Sequence, residues 1–202
     1  TLIQRVFKTT IKEWGYGILV NPVANVELPK SAKPRTRRLV ANELSVLISN
    51  AEKQKNKYIS TIIQFAVETG MRRSEILKLT WNDINLDTGI ASLYDTKNGD
   101  DRHIPLTKTA IQLLSNLTQS SEFVFPISTN CLRLAWERCR NKSNIKGLRF
   151  HDLRHEAVSR FFEMGLSVPE VALISGHKDV RQLFRYTHLK PENLIEKYSN
   201  IF

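Results

Sequence analysis

The sequence predicts an α+β fold, mainly helical with a small three-stranded antiparallel sheet. Three observations carry that expectation. Apolar residues recur at helical spacing before and after one stretch, and that stretch, residues 81–106, breaks into short β-rich runs. Between two of the runs stands Asn98-Gly99, a pair that favours the tight turn of a hairpin.

Element by element, Leu2, Ile3, Val6, Ile11 and Trp14 sit at helical spacing before Gly15 and Gly17 interrupt them, as in the last turns of a separate helical domain. Pro22, Pro29 and Pro34 then punctuate residues 22–38, which read as an extended linker. Its end carries five basic residues and no acid: Lys30, Lys33, Arg35, Arg37 and Arg38. Such a run is either a solvated surface or a strap across a phosphate backbone. The compact domain is expected over 39–202. Leu44, Leu47, Ile48 and Ala51 give one helix face; Ile59, Ile62, Ile63, Ala66 and Val67 give a second, stopped by Gly70. A short helix follows around Ser74–Leu79. The strand candidates are Trp81–Ile84, Ile90–Tyr94 and Arg102–Leu106. Helices resume over Thr107–Leu117, Thr129–Arg140 and Phe150–Met164. Gly165 ends the last, Ser167 and Glu170 form a capping box for the next, and short helical pieces run to Phe202.

The bulk composition narrows function. Thirty Lys and Arg against 20 Asp and Glu leave +10, with a pI of 9.8. That excess points to a polyanionic partner. No apolar run reaches the roughly 20 residues of a membrane span. The start, Thr-Leu-Ile-Gln-Arg, has neither initiator Met nor signal-peptide pattern, as expected of a trimmed piece of a longer chain. Cys131 and Cys139 are too few for a zinc site and too far apart along one helix for a disulfide, so they read as small free thiols.

Five segments carry chemistry together. In Thr69-Gly-Met-Arg72-Arg-Ser-Glu75, Arg72 opens a helix, as either a surface arginine or an anion ligand. Lys97 lies near the hairpin tip, where a lysine is ordinarily solvated but can also enter a DNA groove. In His151-Asp-Leu-Arg154-His155, residues 151, 154 and 155 share one helix face, an odd choice for a plain surface but apt for phosphate, with Arg binding two oxygens and His moving a proton near neutral pH. His155 suits a structural hydrogen-bonding role. His177, in Ser175-Gly-His177, follows a helix end. Nine residues later comes Tyr186, in Arg185-Tyr186-Thr-His188, either an interface tyrosine or a nucleophile.

As a set, in this order and with this spacing, the five segments resemble the tyrosine recombinase (phage integrase) family over residues 37–202. The resemblance implies the family's DNA breaking-rejoining fold, with residues 1–21 the end of a helical core-binding domain, 22–38 a basic interdomain linker and 39–202 the catalytic domain. It implies that Arg72 and Arg154 clamp the scissile phosphate and that Tyr186 attacks phosphorus. Lys97 would protonate the leaving 5′-oxygen. His151 would accept a proton or bind phosphate, His177 would hydrogen-bond phosphate, and Glu75 would prop the site. Trp81 is expected in the core. The chain departs from the family's pattern at Ser175, where leucine is usual, at Leu183-Phe184, and in a short segment after Tyr186. These bear on packing and tail docking rather than on competence.

Two fixed guanidiniums would offset the transition-state charge where a metal would otherwise act. No cofactor, metal or ATP is therefore expected. The partners implied are double-stranded DNA, a tetramer formed on it and DNA-bending accessory proteins, with no membrane and a cytoplasmic, nucleoid-associated location. Competing readings are a type IB topoisomerase and a non-catalytic DNA-binding regulator. The retained arginines and tyrosine argue against the regulator, and the Gly-His and Tyr-Thr-His patterns with the tail argue against the topoisomerase. An RNA-binding module would need aromatic strands that are not found.

Overall fold

The computed structural model of the chain describes residues 2–18, 20–27, 35, 37–94 and 101–187. Lys30, Lys33, Lys97, His188 and the segment to Phe202 lie outside the described residues. Contacts divide the chain into two units, Thr1–Arg35 and Thr36–Phe202.

The first unit holds α1 (Leu2–Lys12), which buries none of its residues and leaves Leu2 80% exposed. The second unit is built on α3 (Tyr58–Thr69), flanked by α2 (Glu43–Glu52), α5 (Lys108–Ser115), α6 (Thr129–Lys142) and α7 (Asp152–Glu163). α3 is apolar nearly all round, burying Ile59, Ile62, Ile63, Phe65, Ala66 and Val67. Each large aliphatic side chain so buried stabilises by roughly 1.5–3 kcal/mol. Gly70 ends α3 in the left-handed region, φ 63°, where a β-carbon would sit 3.4 Å from Ala157 and Phe161 of α7. The two central helices thus meet closely at the point where the chain turns into α4 (Arg73–Lys78).

The sheet has the order β1 (Ile84–Asn85), β2 (Ile90–Leu93), β3 (Arg102–Pro105), antiparallel throughout, with Leu93 opposite Arg102. In β3, Arg102 and Ile104 face inward while His103 and Pro105 face out. The expected strand at Trp81 is corrected. Trp81–Asp83 form a 3₁₀ turn, because the Thr80 amide and hydroxyl both donate to the Asp83 carboxylate at 2.8 and 2.7 Å and close the turn before β1 begins. Trp81 packs partly buried against the core. Of the cysteines, Cys139 is buried and donates to the Leu47 carbonyl, and both are free thiols.

α8 (Val168–Ser175) starts with the anticipated capping box, the Ser167 amide and hydroxyl each 2.6 Å from the Glu170 carboxylate. It ends at Gly176, φ 68°, and packs on β3 and α7. Two 3₁₀ turns, Val180–Gln182 and Phe184–Tyr186, follow it within the described chain.

Candidate active site

Two glycine-terminated helices, α3 and α8, present their last carbonyls to one region, and three arginines converge on them. Arg154, in the first turn of α7 and 4% exposed, donates to the Gly70 carbonyl at 2.7 Å and the Ser175 carbonyl at 2.6 Å. Arg72, at the start of α4, donates to the Gly176 carbonyl at 3.2 Å and to Glu75 at 2.6 Å. The Arg72 amide also donates to Glu75, at 2.7 Å. Helix C-terminal carbonyls carry partial negative charge, so each is an apt partner for a cation.

The third guanidinium, Arg102, is the residue that sequence reasoning missed. It is 6% exposed, donates to Glu75 at 2.8 Å and shares the Ser175 carbonyl at 3.1 Å. A β-carbon on Gly176 would lie 1.9 Å from its Nη1, so glycine is required here by packing as well as by φ. The alternation of β3 was the available signal, because Arg102 is in phase with Ile104. Burial pushes the Glu75 carboxyl up, but Arg102 and Arg72 outweigh it and hold the group below its ordinary value. Two guanidiniums pair with that single carboxylate. Burial and then Arg72 lower Arg154 to about 10, so it stays charged at neutral pH.

His177 follows Gly176. The Ser175 hydroxyl, fully buried, lies 2.6 Å from His177 Nδ1 and donates to the Val171 carbonyl at 2.5 Å. Burial, then the charges of Arg154, Arg72, Arg102 and Arg185, lower His177 to about 4, so the ring is neutral at pH 7. Tyr186, 8% exposed, reaches the site from the last 3₁₀ turn. Its hydroxyl is hydrogen-bonded to His155 Nδ1, with the rings stacked at 5.6 Å. Burial raises the Tyr186 phenol, while Arg185 and Arg154 oppose the shift. His155 is lowered to about 4, first by burial and then by His151. His151 packs edge-on to His155 at 5.0 Å. Partial desolvation and Arg154 also hold His151 below its usual value.

Arg72, Arg154, His177 and Glu75 are therefore one cluster, adjoined by Tyr186, His155 and His151. Lys97 lies outside the described residues. Of the linker cations, Arg37 is bound to Glu43, and Arg38 to Glu156 at 3.1 Å and to Glu163. These two staple the start of the second unit to α2 and α7. Arg35 belongs to the first unit. Among the described residues, no group of three or more His, Cys, Asp or Glu is placed to hold a metal ion, and no helix is long and apolar enough to cross a membrane.

The cluster can bind a phosphate through guanidiniums fixed from behind, with a phenol and neutral imidazoles at hand. Comparison with known proteins places the chain in a family. The Phage integrase family profile matches residues 37–193. A shufflon-specific DNA recombinase of Escherichia coli is 41% identical over 198 residues, 97% of this chain and 51% of that protein. A putative integrase/recombinase of Haemophilus influenzae is 34% identical, over 88% of this chain and 60% of its own length. The chain thus spans about half of the former and three fifths of the latter. Among solved structures, a lambda integrase dimer bound to a core site is similar with a TM-score of 0.74 at 24% identity, covering 92% of this chain and 56% of that one. The catalytic domain of bacteriophage HP1 integrase gives 0.68 at 22% identity, covering 82% of this chain and 95% of that one.

Proposed function

This chain belongs to the phage integrase family, and on that premise we propose that it is the catalytic part of a site-specific DNA recombinase working through a 3′-phosphotyrosyl intermediate. The observation that carries the reading is the convergence of Arg72 and Arg154 on carbonyls of the Gly70 and Gly176 turns, with the Tyr186 phenol adjoining.

A phosphodiester resists attack because its charge repels the nucleophile and grows in the transition state. Guanidiniums whose other donors are held by backbone carbonyls need little reorganisation to meet that charge, which is the condition for large electrostatic stabilisation. The Tyr186 oxygen forms the bond to phosphorus as the bond to the 5′-oxygen breaks. The phenol proton passes to His155, the group in contact with it; the resemblance had suggested His151 for that role. The departing 5′-oxygen takes a proton from Lys97, assigned on its place between β2 and β3. His177, held at Nδ1 by Ser175, offers Nε2 to a non-bridging oxygen. Attack by a 5′-hydroxyl of a second strand reverses each transfer, so no energy source is consumed. Exchange between duplexes implies double-stranded DNA as substrate and four protomers on it. DNA-bending accessory proteins and a nucleoid location in the cytoplasm complete the proposal. Lys30, Lys33, Arg35, Arg37 and Arg38 are the candidates to strap the backbone, and Arg37 and Arg38 must exchange their carboxylate partners to do so.

Trapping tests the reading. With a DNA substrate nicked beside the cleavage position, the chain should accumulate a covalent adduct in EDTA, and peptide mapping should place the phosphate on Tyr186. Adducts on another residue, or adducts that need a divalent cation, would overturn it.

A further inference from the structure

A half-open cleft of about 170 Å³ lies between α6, the first residue of α4 and the turn before α7. Its walls carry four guanidiniums, Arg73, Arg133, Arg140 and Arg149, above the edge-to-face pair Trp136 and Phe150. The single carboxylate in the wall, Glu137, is held by Arg133 at 2.9 Å. Arg140 donates to the side chain of Asn141 and, among the described residues, pairs with no carboxylate. Among the described residues, the side chains of Arg73 and Arg149 have neither ion pair nor hydrogen bond. Four cations against one carboxylate leave the cleft at +3.

Other guanidiniums of this unit set the contrast. Arg37, Arg38, Arg160 and Arg181 each face a carboxylate supplied by the fold. Like charges gathered without counter-charge repel, and the arrangement gains most when an anion enters between them. We propose that this cleft is a second phosphate site, which holds a backbone phosphodiester of the bound DNA other than the one being cut.

Continuity with the clamp argues for DNA as the source. Arg73 directly follows Arg72, and Arg149 stands two residues before His151. An anion in the cleft therefore sits next to residues that face the scissile phosphate, as a neighbouring phosphate of the same duplex would. The cleft floor argues for the backbone rather than a base. Trp136 and Phe150 are 5% and 9% exposed, too covered to offer a stacking face of the kind single-stranded bases use. Arginine's planar fork suits the non-bridging oxygens of a phosphodiester.

The inference rests on the DNA-binding reading above, and its test separates the two. DNA affinity of the whole chain is measured against salt for the wild type, R73A/R149A and R73K/R149K. One released phosphate contact changes the salt slope by about 0.9, so the alanine pair should flatten the slope by roughly one and weaken binding about tenfold near 0.15 M salt. The lysine pair should restore the slope while recovering affinity incompletely, and melting temperatures should match the wild type, since neither side chain has a partner to lose. An unchanged slope in the alanine pair would overturn the cleft proposal while leaving DNA binding intact. A wild type that bound no DNA at low salt would take down the functional reading as well. Inorganic phosphate, titrated while Trp fluorescence is followed, separates the sources. Saturation that the alanine pair abolishes, together with an unchanged DNA slope, would make this a site for free phosphate and refute the backbone assignment.

Discussion

The arginine cluster and the segment that brings the tyrosine are held in different ways. Arg72, Arg102 and Arg154 are fixed from behind by carbonyls of the Gly70 and Gly176 turns and by Glu75, all on elements packed into one core. Tyr186 rides on a three-residue 3₁₀ turn, and the side-chain contact that fixes its hydroxyl is to His155. The charge-stabilising half of the site is therefore built before substrate arrives, and rearranging it would break several buried hydrogen bonds at about 1 kcal/mol or more each. Releasing the phenol breaks about one, besides uncovering a ring that lies at the edge of the core. On the proposed mechanism, a nucleophile that must leave the stack, attack and carry DNA belongs on the cheaper attachment, while electrostatic catalysis needs the rigid one.

The largest effect should come from removing the proposed nucleophile itself. Tyr186→Phe should abolish covalent adducts while DNA affinity stays within about twofold, because no phosphate ligand is lost. Gel analysis of trapped complexes reads this directly, and adducts formed by the variant would remove Tyr186 from the role. Next in size is the clamp. Arg154→Ala should slow cleavage about a thousandfold, at or beyond the loss of one preorganised donor. It should also lower the melting temperature, because the Gly70 and Ser175 carbonyls lose their donor. Single-turnover rates near the wild type would show that the buried guanidinium is structural only.

Arg102 sharpens the contrast from behind the clamp. Arg102→Met leaves the Glu75 carboxylate with one partner and should lower the melting temperature by about 10 °C, the scale of a broken buried pair in a domain this size. Arg102→Lys keeps the charge but not the fork that spans Glu75 and Ser175. It should recover most of the stability and less of the cleavage rate, a split that a purely structural role would not give.

How far the site could be read from sequence follows the same division. The helix-bound motifs were legible because their signals are local: Gly70 and Gly176 stop helices in the left-handed region, and the 151, 154, 155 spacing puts three side chains on one face. Arg102 was not legible as part of the site. A lone arginine in a four-residue strand reads as edge decoration until α8 is laid against β3. The His155–Tyr186 pair spans 31 positions, and no local pattern links the two, so the resemblance pointed to His151 as proton acceptor. Trp81–Asp83 misled through its place beside Ile84 in a stretch of short strands, when the Thr80–Asp83 cap decides a 3₁₀ turn.

The pH profile tests the tyrosine side of the comparison. His155 and His177 are both lowered to about 4, so each is neutral well below the ordinary histidine range, and His155 is able to accept the phenol proton there. Cleavage by a chain that uses His155 as acceptor should hold from pH 7 to about 5 and fall only as that ring protonates. Stability moves with the same sign. The unfolded chain binds protons near pH 6.5 and the folded chain only near 4, so melting temperature should decline as pH falls through that window. His155→Ala should slow adduct formation more than His151→Ala. The reverse order would return the acceptor role to His151.

The smallest effect belongs at the joint between the two regions. Ser175 is fully buried between the Val171 carbonyl and His177 Nδ1, at a position where the family resemblance leads one to expect leucine. The hydroxyl has both the Val171 carbonyl and Nδ1 within reach, and Arg154 Nη2 lies 3.5 Å from the same nitrogen; an Nδ1 that accepts keeps the proton of the neutral ring on Nε2, the nitrogen that the proposed mechanism turns to a phosphate oxygen. Ser175→Leu removes the contact and adds volume to a packed position, so it should cost one to three kcal/mol of stability and slow cleavage about three- to tenfold, the scale of one neutral hydrogen bond. Ser175→Ala separates the two causes. It removes the hydrogen bond without overpacking, so its melting temperature should exceed that of the leucine variant while its rate falls equally. If alanine cleaves like the wild type at every pH, the hydroxyl does not orient His177, and the imidazole is held by the surrounding arginines alone.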